Sequence, residues 1–173
     1  MTRNYAVSTQ EVLADQLTGM RVATAVLANA TYLLTGGTQT EIFTVVGRIL
    51  VKFLYIEVIT DCSANATQVL FNCTFTTPVI IANAMCGKCA SISGLAQGGR
   101  IVWLGGAVGT AAVITDSAGL SDVLPSSGQI VGGEGFIGTV GILASDASQA
   151  SGTFQVIMNY VPMSDGAYAE ALL

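Results

Sequence analysis

The amino-acid sequence predicts an all-β protein, a jelly-roll-like β-sandwich preceded by a short N-terminal helical arm. Three observations carry that expectation. Runs rich in Thr, Val, Ile, Tyr and Phe recur roughly every ten to fifteen residues with Gly, Asn, Asp or Ser between them, the spacing of a sandwich or barrel. Twenty glycines against three prolines (Pro78, Pro125 and Pro162) favour many short elements joined by turns. No stretch between the runs is long enough for the helix of a βαβ crossover, which excludes the nucleotide-binding α/β folds. The 173 residues divide into an arm over 1–20 and a single β-sandwich domain over 21–173, long enough for a substantial core.

In chain order, Ser8-Thr9-Gln10-Glu11 fits a capping box, the Ser hydroxyl capping a free backbone N–H and the Glu reaching back. Val12, Leu13 and Leu17 follow on one side and Gly19 is a stop, so a helix is expected over about 9–18. So short a helix is marginal alone and must pack on something. Tyr5, Val12, Leu13 and Leu17 are therefore the candidate interface residues of an arm that packs on a neighbouring copy or on a shell. Strands are expected over 24–35 and 40–46, either side of Gly36-Gly37. Arg48–Thr60 alternates best, with Ile49, Val51, Phe53, Tyr55 and Glu57 on one face and Leu50, Lys52, Leu54, Ile56 and Val58 on the other. Both faces are mostly apolar, which predicts a central strand covered on both sides. Further strands are expected over 66–76, 78–84, 100–104, 111–115, 135–144 and 152–161. The segment Gly94–Ser151 is rich in Gly, Ala and Ser, which fits either close subunit approach or flat loops.

Charge is the compositional anomaly. Six basic and eleven acidic residues make 10% of the chain, half of it is hydrophobic at 51%, and mean hydropathy is +0.64. An average soluble domain is about 25% charged, so the apolar surface calls for a cover: copies of itself, partners or a membrane. A spanning helix needs roughly 18 apolar residues. The apolar stretch Ile101–Thr115 has fifteen, three of them glycine, and Lys52 and Glu57 break the block 49–59, so no membrane partner is expected. The N-terminus lacks an apolar run behind Arg3, so no signal peptide is expected. A net charge of −5 with scattered basic residues argues against nucleic acid.

Histidine is absent, which removes Ser-His-Asp and Cys-His nucleophile systems and every His-containing zinc site. Asp61, Asp116, Asp122, Asp146 and Asp165 sit beside Ser, Thr, Cys or Gly as turn residues do. Glu41 and Glu57 fall inside strands, as exposed or interface polar positions. Neither a catalytic group nor a cofactor site is expected, and the chain reads as no enzyme. Cys86-Gly-Lys-Cys89 has the spacing of a zinc-ribbon or redox knuckle, but Cys62 and Cys73 are separated by ten residues and make no second knuckle. Those two could pair across a sheet. Free buried thiols are the first reading of the four, a disulfide the second and a metal the third, and no metal site is assigned. Gly133-Glu-Gly135-Phe-Ile-Gly138 matches G-x-G-x-x-G by letter but precedes a strand where a pyrophosphate site needs a helix. Trp103 reads as core or interface anchor.

Two segments carry a family resemblance. Glu41-Ile-Phe-Thr-Val-Val-Gly-Arg-Ile-Leu-Val-Lys-Phe-Leu-Tyr-Ile-Glu-Val-Ile-Thr60 resembles a recurring L-F-T-V-T-G-G-R-V-L-V … G-E-V-T segment. Gly152-Thr-Phe-Gln-Val-Ile-Met-Asn-Tyr-Val-Pro-Met-Ser-Asp-Gly166 resembles the ending G-x-x-x-W-x-L-x-Y-V-P-L-S-D-G-A of the same group. That group is the small β-rich virion proteins of tailed bacteriophages, of the head decoration or capsid cement type. The matches cover about a fifth of the chain, and the sequence departs from the group at Val46 and in its cysteine-rich middle. The resemblance implies a homotrimer on the outer phage head, clamping the major capsid protein without chemistry, assembled in the bacterial host cytoplasm. A tail, baseplate or fibre protein is the alternative. Low charge agrees, since interface cores are depleted in charged residues.

Overall fold

A computed structural model of the chain describes residues 21–27, 37–64, 67–106, 109–115, 128–144 and 152–172. The described residues contain nine strands and no helix: β1 (Arg21–Leu27), β2 (Gln39–Thr60), β3 (Val69–Thr77), β4 (Ile81–Ala84), β5 (Arg100–Trp103), β6 (Val113–Thr115), β7 (Gln129–Ala144), β8 (Thr153–Pro162) and β9 (Tyr168–Ala171). The all-β expectation holds. The helical arm over 1–20, with Tyr5, Val12, Leu13 and Leu17, lies outside the described residues.

β2 organises the molecule. Its 22 residues are dense in Ile, Val, Phe and Thr, and neighbours pair along both of its edges. The first half lies between β7 and β9, and the second between β5 and β8. β3 and then β4 extend the sheet beyond β7, β1 extends it beyond β8, and β6 pairs with β5. Every strand pairing is antiparallel and belongs to one sheet with the backbone order β1-β8-β2-β7-β3-β4. The sheet curls along β2 into two wings; a division into two separately bonded jelly-roll sheets is not seen among the described residues.

Two corrections to the expected strands explain the curl. The separate strands expected over 40–46 and 48–60 are one strand, because Gly47 takes a left-handed φ of 76° and absorbs a bulge between Val46 and Arg48. Opposite it Gly132, at φ 80°, approaches so closely that a Cβ there would strike the Gly47 carbonyl oxygen. A second irregularity, between Val51 and Phe53, inverts the inward face. Ile49 and Val51 are buried, and so are Leu54, Ile56 and Val58, while Phe53, Tyr55 and Glu57 turn outward. One extra residue flips every following side chain.

Both wings contribute to one core. Phe43 and Val45 of β2, Phe71 of β3 and Ile142 of β7 join Trp103 of β5 and Phe154 of β8 in a single apolar cluster. Trp103 is fully packed, in agreement with its reading as a core residue.

Candidate functional site

The surface feature that stands out is the β3–β4 hairpin. From Cys62 to Gly87 no residue carries a charge. The hairpin tip, Pro78-Val-Ile80, points into solvent with Val79 59% and Ile80 79% exposed. Ile130 and Ile137 of β7 are also exposed; Ile137 pairs with Thr77, which sets it beside the tip. Isolated exposed apolar residues need no explanation, whereas a group of them does.

Beneath this group lies a cleft of about 390 Å³ between β4 and the start of β7. Cys73 and Phe75 of β3 line it with Ile81, Ile130 and Phe136. Phe75 and Phe136 meet edge to face with ring centroids 5.6 Å apart, the favoured aromatic geometry. The lining contains no charged side chain, and its polar groups are the amides of Asn83 and Gln129. The Gln129 Oε1 is buried and accepts no hydrogen bond. An apolar cleft with two amides suits an uncharged chain segment. Sequence reasoning read Pro78–Ala84 as an ordinary strand; the uncharged run through it was the signal available.

The strand carboxylates are tied into the sheet surface. Tyr55 donates its hydroxyl to Glu57 at 2.9 Å, and the Arg100 guanidinium stacks over the Tyr55 ring at 5.8 Å. Burial, then the Glu57 hydrogen bond, push the Tyr55 hydroxyl up to about 12. Glu41 accepts a bond from Thr139 at 3.3 Å. Behind it Gln39 Oε1 accepts from Asn72 and Thr74, both at 2.6 Å, in a ladder crossing β2, β7 and β3. Glu57 thus accepts a bond within β2, whereas Glu41 accepts one across to β7. Asp61 makes no local turn contact; it accepts the N–H of Gln97, 36 residues on, at 2.7 Å, whereas Asp165 sits in the exposed turn before β9 as expected. Asp116, Asp122 and Asp146 lie outside the described residues.

All four cysteines are buried free thiols, so Cys62 and Cys73 are not bridged. Cys86 and Cys89 lie along the edge of β3, where their Sγ atoms accept the N–H groups of Phe71 at 3.2 Å and Val69 at 3.4 Å. Those donors are two residues apart on β3, so the two thiols sit as neighbours along one edge of that strand, and Cys89 acts electrostatically on Cys86. Among the described residues no three Cys, Asp or Glu side chains gather as a metal site would need. Burial raises all four thiols, Cys62 and Cys86 to about 11. The folded protein therefore holds these protons more tightly than the unfolded chain, whose thiols ionise near 9. This contribution to stability is complete below the unfolded value and is lost as pH rises through the folded one. Accordingly, a thiol reagent should label the native protein slowly at neutral pH and fully after denaturation, and stability should fall between about pH 9 and 11. Fast stoichiometric labelling of the native protein would contradict this burial.

Gly133, Gly135 and Gly138 of the G-x-G-x-x-G match all fall within β7. A Cβ on Gly138 would strike the Thr74 carbonyl oxygen of β3, so strand packing accounts for that glycine. No helix of the described residues is long and apolar enough to cross a membrane.

The described residues thus define an all-β protein on one curled antiparallel sheet with an uncharged, apolar hairpin edge. No protein-family model matches the chain, and no curated protein matches it. Among solved structures, a chain of "Structure of infectious bursal disease virus Gx strain" is similar over 87% of this chain at 12% identity and a TM-score of 0.32. The present chain spans 38% of that chain's length.

Proposed function

We propose that this chain is a structural virion protein of a tailed bacteriophage, a decoration or cement protein that binds the outer head as a homotrimer and braces the major capsid protein. The jelly-roll-like sandwich belongs to this reading, with the two wings of the curled sheet as its layers. The observation that carries it is a chain only 10% charged and 51% hydrophobic, the composition of a protein packed among other subunits. The resemblance of Glu41–Thr60 and Gly152–Gly166 to the decoration group supports it. Those segments hold most of β2 and all of β8, the strands around which the sheet is built. No step of chemistry is assigned; function resides in contact energy repeated over many copies.

The test is cosedimentation of the purified protein with heads that lack it. Saturable binding at a fixed ratio to the major capsid protein is expected. Because the contact is apolar, binding should persist in molar salt, where exposed ion pairs are screened to about 3 Å. Absence of binding to heads would refute the reading, and binding to tails instead would make it a tail, baseplate or fibre protein.

A further inference from the structure

β4 closes the strand order, and its outer edge has no strand partner among the described residues. Residues facing each other in an antiparallel pair alternate between exchanging two backbone bonds and none. Met85 donates its N–H to the Phe71 carbonyl at 2.8 Å. The bonded pairs two and four residues further on are then Cys73 with Asn83 and Phe75 with Ile81. By the same alternation the backbone N–H and C=O of Ala82 point away from β3, along the open edge.

Soluble proteins guard such edges with short strands, charge, proline or a bulge. Ile81-Ala-Asn-Ala84 is short, but it has no charge and no proline, and its register on β3 runs without a shift. We propose that β4 pairs antiparallel with β4 of a second copy about a two-fold axis, laying Val79 and Ile80 of each copy against the cleft of the other. The chain carries a net charge of −5, so two copies repel over much of their surfaces. The uncharged hairpin is where they meet without that repulsion, and Glu134 is the acid nearest the cleft lining in sequence. An antiparallel edge is also its own complement: the outward donor and acceptor of Ala82 match those of a copy rotated by half a turn. The pairing goes beyond the decoration reading and stands without it, since it adds a two-fold contact that a trimer alone does not contain.

Light scattering on the full-length protein tests this, using Ile80→Lys, Ala82→Pro and the control Leu172→Lys. Ile80 is 79% exposed, so lysine there leaves the fold intact, which circular dichroism verifies. Leu172 is exposed and bonds to Ile42 of β2, with β7 and β3 between that strand and β4. The expected result is an even-numbered wild-type assembly whose mass halves in Ile80→Lys and Ala82→Pro and is unchanged in Leu172→Lys. A single or odd-numbered wild type, or a mass that Ile80→Lys leaves unchanged, overturns the pairing. Should a solitary wild type bind heads and Ile80→Lys abolish that binding, the edge takes the shell and not a second copy. Should an even-numbered wild type ignore heads, the pairing stands and the decoration reading fails.

Discussion

Replacing Trp103 with alanine is expected to remove about 3–5 kcal/mol of stability, a large share of the roughly 5–15 kcal/mol a domain possesses. Trp103 is among the largest fully buried side chains and sits in the cluster shared by both wings. Its deletion leaves a void between β5 and the rest of the core, which the curled sheet fills only partly. The indole has a second property: its Nε1 is buried and donates to nothing. An unsatisfied buried donor costs about 1–3 kcal/mol. Trp103→Phe removes that donor along with part of the ring, so the two effects oppose each other. The phenylalanine variant should therefore lose well under half of what alanine loses. Urea unfolding with an unchanged m-value measures both. Equal losses for the two variants would show that the volume a phenylalanine ring retains does not stabilise the site.

Gly132→Ala is expected to be the most damaging glycine-to-alanine change among the described residues. At φ 80° an L-residue already costs about 1–2 kcal/mol, and here the new methyl also meets the Gly47 carbonyl oxygen. Backbone cannot rotate away as a side chain would, so β2 and β7 must separate at the bend where the wings join. Gly37→Ala separates the two causes. Gly37 has a φ of 77° but nothing within 4 Å of a Cβ, so it should show the conformational cost alone. If both variants lose the same stability by denaturant midpoint, the close approach at Gly132 is unimportant.

The all-β class was legible because strand residues and turn residues separate cleanly along the chain. β8 was readable almost to its ends for the same reason. The bend in β2 was not, because a glycine after Val46 reads as a break until Gly132 opposite shows how the strand continues through it. The grouping of Phe53, Tyr55 and Glu57 with Ile49 and Val51 on one face fails past Val51, since perfect alternation in a sequence gives no sign of a bulge. β9 escaped notice because Tyr-Ala-Glu-Ala has little strand preference; the edge of β2 recruits it. As for the site, low charge pointed to an interface protein but not to a face. Pro78-Val-Ile80 looked like the start of a strand, and only the fold turns it outward at a hairpin tip.

The continuity of β2 has a mechanical corollary. Antiparallel hydrogen bonds stand perpendicular to the strand, and here they flank one unbroken 22-residue segment on both sides. Tension applied along that segment loads many bonds simultaneously in shear, whereas peeling would break them singly. A polypeptide strapped through the middle of its own sheet is thus best armed against stretching along one direction, the axis of that strap.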